Sequence, residues 1–298
     1  MPEGHSVHRL ARQFGDVFLG STLSVSSPQG RFAGGAAVLD GHTLVESRAH
    51  GKHLFLGFEH GLVLHVHLGL YGAWEFGGDG TFRVASSIGA PRKVGEREVF
   101  DDGGAPVLYD GPPAPVGAVR VRLVGAHGWA DLRGATTCAA ITDAEVATVL
   151  ARLGPDPLRN SPGDRETFVD AVTSRRTPLA ALMMDQKVIA GVGNVYRAEV
   201  LFRQRTDPWS PGRGVSAVLA GQLWDDTAAV MSDGVRDGRI ITTPSGYWSG
   251  GSALPSPNEA HFVYKRNGLP CRDCGAAVAM TELLARKLYW CPLCQQAG

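Results

Sequence analysis

The chain has 298 residues, of which 44% are hydrophobic and 19% charged, with 29 basic and 29 acidic side chains. This length permits two or three domains, each with its own core. No apolar run approaches the roughly 20 residues of a membrane-spanning helix, and the first residues lack the apolar region of a secretory signal. We therefore expect a cytoplasmic protein without a membrane role. A net charge of zero gives no support to nucleic-acid binding.

The chain begins MPEGHSVHRL. Removal of the initiator Met would leave a free secondary amine at Pro2, with the carboxylate of Glu3 beside it. Taken alone, this could be an ordinary translation start. From Gly4 to Phe18 the apolar residues recur at helical spacing, which predicts an amphipathic helix directly behind Pro2. Such a helix would hold the N-terminus in one place.

From Thr22 to Leu132 the apolar residues alternate, as in LVLHVHL at 62–68 and VRVRL at 119–123. This period of two predicts antiparallel strands packed as a β-sandwich. The stretch from residue 77 to residue 117 is rich in Gly, Pro and acidic residues, which predicts a long mobile loop.

After about residue 142 the spacing becomes helical, through DAEVATVLARL, DRETFVDAVTS, PLAALMMDQ, GNVYRAEVLFRQ and a longer segment at 215–237. The sequence thus predicts an α+β multidomain protein. We expect a β-sandwich domain at 1–140, a helical domain at 141–260 and a small C-terminal unit at 261–298.

The tail reads CRDCGAAVAMTELLARKLYWCPLC, two C-x2-C pairs separated by sixteen residues. Each pair can direct two thiolates at one ion, and the spacer can form a β-hairpin that joins the pairs in a closed tetrahedral site. A redox dithiol pair is the weaker alternative. We assign one structural Zn²⁺ to four ligands: Cys271, Cys274, Cys291 and Cys294. The fifth cysteine, Cys138, stands among small and apolar residues and is expected to be a buried, inert thiol.

The predicted hairpin carries basic and aromatic residues, namely Arg286, Lys287, Tyr289 and Trp290. Their interleaving suits a nucleic-acid contact, although a solvated hairpin with a packed Trp fits equally well. DQKVIAGVGNVYRAEVLF at 185–202 joins two helices through a glycine-bearing turn. Asn194 stands there at an expected N-cap, where a helix N-terminus could bind phosphate. A plain helical hairpin capped by Asn194 is the alternative. His65 and His67 share one strand face, where packed or phosphate-facing histidines are favoured over a metal pair.

Together these segments resemble the formamidopyrimidine-DNA glycosylase and endonuclease VIII family of base-excision repair enzymes. The matching motifs are MPEG, GKHLF, HLGLYG, LGPDPL, DQKVIAGVGNVYRAEVLF and ARKLYWCPLCQ. The resemblance implies an N-terminal β-sandwich, a helix-two-turn-helix domain and a C-terminal zinc finger, with DNA in the cleft between the halves. It also implies double-stranded DNA with oxidised bases or abasic sites as the partner of a protein that we expect to be monomeric.

The resemblance implies roles for single residues. Pro2 would be the nucleophile that attacks C1′ of the damaged nucleoside and forms a Schiff base, with Glu3 as proton donor and shuttle. Lys52 would lie close to phosphate and assist β-elimination. Asn194 and Arg286 would hold the phosphates around the extruded nucleotide, and Arg286 is linked with δ-elimination.

Leu70 and Tyr71 match the position of the family's wedge, which fills the hole left by the extruded base. For Leu70, a place in the core is the competing interpretation. LYG here, and ADLRGAT at 130–136 without the Phe of the formamidopyrimidine branch, favour the endonuclease VIII branch and oxidised pyrimidines.

At the N-terminus, His5 and Ser6 replace the usual Pro-Glu and leave contacts to the damaged base open. Two other functions stay open: a purine glycosylase of the 8-oxoguanine type, and a non-catalytic protein that binds damaged DNA. Intact Pro2, Glu3 and Lys52 argue against the second of these, because a protein that only binds DNA does not need them.

Overall fold

A computed structural model describes residues 2–80, 82, 87–89, 111–249 and 254–296. The chain divides into two compact units, Met1–Ala151 and Arg152–Gly298. The mixed α and β architecture confirms the predicted fold class. No helix among these residues is long and apolar enough to cross a membrane.

The described residues of the first unit form three helices and nine strands. They are α1 (Gly4–Phe18), β1 (Thr22–Ser26), α2 (Ala33–Leu39), β2 (His42–His50), β3 (His53–Phe58), β4 (Leu62–His67), β5 (Ala73–Gly78), β6 (Ser87–Gly89), β7 (Val119–Val124), β8 (Gly128–Arg133), β9 (Thr137–Thr142) and α3 (Asp143–Leu150). The strands form one antiparallel sheet in the order β6-β5-β8-β7-β1-β2-β3-β4-β9.

Both ends of this sheet contribute to one core, which is why it forms a sandwich. Leu54 and Val66, from β3 and β4, belong to the same buried cluster as Trp74 and Leu132, from β5 and β8. Helix α1 has the predicted bounds, and its apolar stripe, with Phe14 at its centre, is buried in that cluster. The sandwich and the first helix therefore follow from the periodicity of the sequence.

The stretch from 77 to 117 was expected to be loop. Two parts of this stretch are strand instead. Strand β5 extends to Gly78, and β6 pairs with β5, with Ile88 opposite Trp74. Ile88 is fully buried. The short apolar segment around it therefore continues the sheet. Residues 90–110 of the predicted loop lie outside the described part of the chain.

In the second unit, the part of the chain that the structure describes forms four α-helices, two 3-10 helices and one β-hairpin. They are α4 (Asp164–Thr173), α5 (Leu179–Leu182), α6 (Asn194–Arg203), the 3-10 helices Gly212–Gly214 and Ser245–Tyr247, α7 (Ala217–Asp237), β10 (Ala279–Leu283) and β11 (Arg286–Trp290). Tyr196 of α6 and Trp224 of α7 are buried in one cluster that also takes in Leu288 of the hairpin. The hairpin is thus packed onto the helices of its own unit.

A buried carboxylate fixes the segment that leads into the cysteine tail. Glu199 of α6 is fully buried and accepts hydrogen bonds from the backbone N–H groups of Phe262, Val263 and Tyr264 at 2.7–2.9 Å. The Thr242 hydroxyl donates to the same carboxylate at 2.5 Å. Since a buried charge is tolerated only with such partners, Glu199 holds this segment against α6.

Helix α3 packs on the sheet of the first unit, beyond the domain boundary predicted at residue 140. Its Val146 is buried with Phe55 and Val63 of β3 and β4. The second unit holds the predicted helical domain from Arg152 onward, together with the cysteine tail.

Candidate active site and metal centre

The N-terminus is well placed to hold a reactive group in a fixed position. Pro2 is buried and Glu3 is 0% exposed, in extended backbone directly before α1. The Glu3 carbonyl accepts the Ser6 N–H at 3.1 Å, which ties the extended residues to the first helical turn. His5 and Ser6 are also buried. The helix behind Pro2 therefore limits the freedom that a chain terminus normally has.

Lys52 lies in a two-residue turn between β2 and β3, where His50 pairs with His53. Gly51, the first residue of the turn, has φ +56°, as a type II′ turn requires. Because both flanking residues are paired in the sheet, the position of Lys52 along the hairpin is fixed. Burial is the main cause that lowers the pKa of His53 and of His67, and the positive charge of Lys52 lowers each of them further.

Burial keeps three histidines of the first unit neutral. It is the main cause that lowers the pKa of His5 and of His53 from 6.5 to about 3, and that of His65 to about 4. The packed arrangement agrees with the expectation for His65. Among the described residues, the one cluster of three or more side chains able to hold a metal ion is that of the four tail cysteines.

These neutral histidines make the first unit sensitive to acid. In the unfolded chain each titrates near pH 6.5, so between about pH 6.5 and 4 the unfolded state binds more protons. Stability present above pH 6.5 is therefore lost as the pH falls, by at most ~1.4 kcal/mol per pH unit for each histidine. Urea unfolding followed by circular dichroism at several pH values tests this. His53→Phe should show a smaller pH dependence than wild type, and an equal dependence would contradict the expectation.

Leu70 and Tyr71 lie in the turn between β4 and β5. Their side chains are 38% and 75% exposed, so the competing interpretation of Leu70 as a core residue is wrong. Gly69 has φ +66°, and a Cβ there would come within 2.7 Å of the Thr136 side chain. The turn thus presents the large side chains of Leu70 and Tyr71 to solvent. The residue before them, Gly69, has a backbone conformation that favours glycine.

Asn194 has a different place from the one predicted. The N-cap of α6 is Gly193, and Asn194 is the first helical residue, with its side chain buried. Its Nδ2 donates to the Lys287 carbonyl at 2.8 Å, and its Oδ1 accepts from Arg197. Asn194 therefore links the start of α6 to the hairpin, and the expectation that it caps the helix was wrong.

Arg197, which the sequence analysis did not single out, is fully buried at the same contact. It donates to the Lys287 carbonyl at 3.3 Å and to the Ala180 carbonyl at 3.4 Å. Spacing could have found it, since Arg197 follows Asn194 by three residues and shares its helix face.

Arg286 and Lys287 begin strand β11, and both are exposed. The two-residue turn before them, Leu284 and Ala285, has φ +52° and +56°, the signature of a type I′ turn. The backbone carbonyl of Lys287 is bound by the side chain of Asn194 at the start of α6, whereas the side chains of Arg286 and Lys287 are exposed. Two exposed cations next to each other favour an anion as their ligand.

The four tail cysteines form the metal centre. Their Sγ atoms all lie within 4.8 Å of one another, and the Cys271–Cys294 pair is 3.9 Å apart. A tetrahedral Zn²⁺ with Zn–S bonds of about 2.3 Å needs S–S separations of roughly 3.8 Å. The residues fit this ion, and four protein ligands leave no position for a reacting water. The site is thus a structural zinc site, as the spacing predicts.

Side chains around the cysteines connect the metal centre to the rest of its unit. The buried Gln295 accepts from the Cys291 N–H at 2.9 Å and donates to the Thr206 carbonyl at 3.0 Å. Asp273, between the first two ligands, pairs with Arg205. These contacts hold the cysteine knuckles against the end of α6.

The predicted site residues fall into two sets. The first unit holds Pro2, Glu3, Lys52, Leu70 and Tyr71. The second unit holds the rest: Asn194, Arg286, Lys287, Cys271, Cys274, Cys291 and Cys294. Each unit thus holds a different part of the predicted site. The first unit has the anchored N-terminal residues and the turn that carries Lys52, and the second has the basic hairpin supported by the zinc site.

Three family models match the chain. Residues 1–110 match the formamidopyrimidine-DNA glycosylase N-terminal domain, residues 153–245 match the formamidopyrimidine-DNA glycosylase H2TH domain, and residues 268–297 match the zinc finger found in FPG and IleRS. Endonuclease 8 1 of Mycobacterium bovis is 43% identical over 298 residues, which covers 99% of this chain and 100% of the relative. The formamidopyrimidine-DNA glycosylase of Thermus thermophilus is 29% identical over 303 residues and the full length of both chains.

Solved structures show the same fold. The crystal structure of the MutM (FPG) protein of Thermus thermophilus aligns over 100% of both chains with a TM-score of 0.70 and 26% identity. The complex of Lactococcus lactis Fpg with DNA containing an abasic site aligns over 99% of this chain and 100% of that chain, with a TM-score of 0.73 and 18% identity.

The chain belongs to the formamidopyrimidine-DNA glycosylase and endonuclease 8 family. It is accordingly an enzyme of the DNA glycosylase/AP lyase class that serves base-excision repair.

Proposed function

We propose that the protein is a bifunctional DNA glycosylase and AP lyase that removes oxidised bases, pyrimidines preferred, through a Schiff base at Pro2. The observation that carries this proposal is the full-length similarity to an endonuclease 8, with Pro2 and the buried Glu3 anchored ahead of α1. The substrate is double-stranded DNA with oxidised bases or abasic sites. We further propose that the protein acts as a monomer, in the compartment that holds the chromosome.

The first step needs a neutral amine at a fixed point. Removal of the initiator Met would make the amine of Pro2 an α-amino group, a class whose reference pKa is near 8, so that about a tenth or more of such an amine is neutral at pH 7. Its lone pair forms a bond to C1′ while the bond from C1′ to the base breaks. The departing base takes a proton, which Glu3 supplies. Anchoring by α1 lowers the entropic cost of this approach.

The second step uses the positive charge of an iminium, which forms when the amine nitrogen loses its proton and the bond from C1′ to the ring oxygen O4′ breaks, with O4′ taking up a proton. A secondary amine forms an iminium that stays charged without a proton, and this electron sink promotes loss of a C2′ proton and expulsion of the 3′ phosphate. Lys52, fixed in the β2–β3 turn, is proposed to contact phosphate and assist this β-elimination. Arg286 is proposed to contact phosphate and assist the following δ-elimination, in which the 5′ phosphate leaves.

Phosphate binding also involves the second unit. The exposed side chains of Arg286 and Lys287 are proposed to contact the DNA backbone, and Asn194 is proposed to support them through its hydrogen bond to the Lys287 carbonyl. The exposed Leu70 and Tyr71 are proposed to enter the stack where the damaged base leaves it. The four cysteines, with Zn²⁺ bound, hold the hairpin in shape.

Substrate preference is tested by excision from matched duplexes. We expect thymine glycol and 5-hydroxyuracil to be released at least about tenfold faster than 8-oxoguanine, a discrimination typical of pocket shape. The assay measures single-turnover release from duplexes that differ only in the lesion. A duplex with a preformed abasic site controls for lyase activity. Faster release of 8-oxoguanine would replace the pyrimidine preference with the purine alternative, which the 29% identity to a formamidopyrimidine-DNA glycosylase supports.

A further inference from the structure

The turn that carries Leu70 and Tyr71 is closed by a hydrogen bond between its ends. This β4–β5 turn consists of residues 68–72, and its last residue, Gly72, donates its N–H to the Leu68 carbonyl at 3.0 Å. A Cβ at Gly72 would come within 2.3 Å of the same carbonyl oxygen, a distance too short for any larger residue at this backbone position. Leu68 is buried in the core of the sandwich. The residues between the two ends therefore project from a narrow base that is fixed to the core.

A second turn bonds to the strand that leads into the first. This β8–β9 turn consists of residues 134–136. The Thr136 hydroxyl donates to the His67 carbonyl at 3.0 Å, and the Thr136 N–H donates to the same oxygen at 3.0 Å. His67 Nδ1 also lies 3.0 Å from the Thr136 hydroxyl oxygen. The Thr136 side chain is thus joined to the last residue of β4, directly ahead of the β4–β5 turn.

The β8–β9 turn also contacts the β4–β5 turn on both sides of its exposed pair. Ahead of Leu70, a Cβ on Gly69 would come within 2.7 Å of the Thr136 side chain. After Leu70, the Tyr71 carbonyl oxygen lies against Gly134, where a Cβ would come within 2.5 Å of that oxygen. Gly134 has φ +66°, a left-handed conformation that favours glycine. Leu70 and Tyr71 are therefore held on both flanks by close approaches that glycine makes possible.

An ordered turn suits a part of the protein that has to enter stacked DNA. Separation of stacked bases costs free energy, and the ordering of a mobile wedge at the moment of insertion would add an entropic cost. A turn that is already ordered avoids the second cost. The Thr136 hydroxyl supplies part of this order, since it joins the β8–β9 turn to β4 beside Gly69.

We propose that Thr136 is a positioning residue for base extrusion, whose hydroxyl holds the β4–β5 turn in the arrangement from which Leu70 and Tyr71 enter the stack. This inference rests on the proposed function, since it takes those two side chains as the wedge. Thr136 acts through the turn and not through a contact of its own with DNA. Its loss should slow insertion and leave the reaction at Pro2 unchanged.

Insertion is measured without chemistry, on a duplex in which a tetrahydrofuran abasic-site analogue, which cannot form a Schiff base, lies next to 2-aminopurine. The fluorescence of 2-aminopurine rises when its stacking is broken, so stopped-flow mixing gives the rate of insertion and a titration gives the Kd. Thr136→Val keeps the volume and removes the hydroxyl, and should slow insertion and raise the Kd, each about fivefold. Thr136→Ser keeps the hydroxyl and should stay within about twofold of wild type.

The reaction at the N-terminus distinguishes positioning from general damage to the fold. Borohydride trapping on single-stranded abasic DNA needs no wedge, so Thr136→Val should trap there like wild type, while its release of thymine glycol from duplex DNA slows about fivefold. Thr148→Val is the matched control, because the exposed Thr148 hydroxyl also donates to a backbone carbonyl, that of Ala144 at 3.0 Å within α3. This control should behave like wild type in both assays.

A protein without the wedge side chains separates positioning from a direct DNA contact. Leu70→Ala combined with Tyr71→Ala should raise the Kd for the analogue duplex at least about tenfold. Addition of Thr136→Val to this protein should raise the Kd no further, because the effect of the hydroxyl is exerted through the two missing side chains. A further fivefold rise would make Thr136 a DNA contact in its own right and overturn the proposal.

The proposal would also be overturned by an unchanged insertion rate and Kd in folded Thr136→Val, or by equal losses in Thr136→Ser and Thr136→Val. Absence of an insertion signal with the wild-type protein would overturn it too, because Leu70 and Tyr71 would then not act as a wedge. Thermal melts establish that each variant is folded. Failure of the proposed function is read separately, because the wild-type protein would then trap no abasic DNA with borohydride while its insertion signal on the analogue stays intact.

Discussion

A single extra residue ahead of Pro2 is expected to abolish covalent trapping by borohydride on DNA with an abasic site. An amide nitrogen at Pro2 has no basic lone pair, so neither the attack on C1′ nor the iminium is possible. We expect trapping to fall by at least a thousandfold, since nothing replaces a missing nucleophile except slow reaction at lysines, whose amines are almost fully protonated at neutral pH. Trapped complexes are counted on denaturing gels, and mass spectrometry identifies the N-terminal residue.

The control is the same protein after cleavage of a removable leader that leaves Pro2 as the first residue. Its trapping should return to the wild-type level. Glu3→Gln is the matched variant that keeps the amine: trapping on preformed abasic DNA should persist, while release of a damaged base falls by about a hundredfold. Trapping that is equally efficient with and without the extra residue would assign the nucleophile to another side chain.

The parts of the fold predicted from the sequence are those with strong periodicity. Helix α1 and strands β4 and β7 repeat apolar residues at 3.6 or 2.0, and each occurs where it was expected. Strand β6 was missed because three residues around Ile88 are too few to show a period. Its place in the sheet is set by its pairing with β5, which is a tertiary interaction.

The metal centre was predictable because tetrahedral thiolate coordination imposes a local spacing on the sequence. Asn194 shows the opposite case. Its chemistry suits an N-cap, but the preceding Gly193 takes that position, and the side chain bonds to Lys287, far away in the sequence. A partner so distant leaves no local signal in the sequence.

The net charge of zero gives no support to nucleic-acid binding because an average hides how charges are distributed. Several arginines are neutralised within the fold, as in the pairs of Arg203 with Asp226 and of Arg165 with Asp225. The cations at Lys52 and Arg286 lie at turns of hairpins. The affinity of a site for phosphate depends on the local electrostatic potential at such turns and not on the net charge of the chain.

Removal of the zinc is expected to abolish specific DNA binding. The hairpin of β10 and β11 has only five residues in each strand, and a two-stranded hairpin of this size is marginally stable alone. Loss of the metal forfeits on the order of 10 kcal/mol of binding energy that supports the local fold. The contacts of Gln295 with Cys291 and Thr206 would then be lost too. Arg286 would remain in the chain but would no longer be held beside α6.

Cys291→Ser tests this most directly, because Cys291 is fully buried and its N–H is bound by Gln295. We expect bound zinc to fall from one ion per chain to almost none, and the Kd for abasic-analogue DNA to rise by at least about fiftyfold as the phosphate contacts of the hairpin disappear. Cys138→Ser is the matched control. Burial raises the pKa of its thiol to about 12, so it is not a thiolate and should keep both zinc and DNA affinity. A zinc-free Cys291→Ser protein with wild-type affinity would show that the hairpin is held by its packing on Asn194 and Arg197 alone.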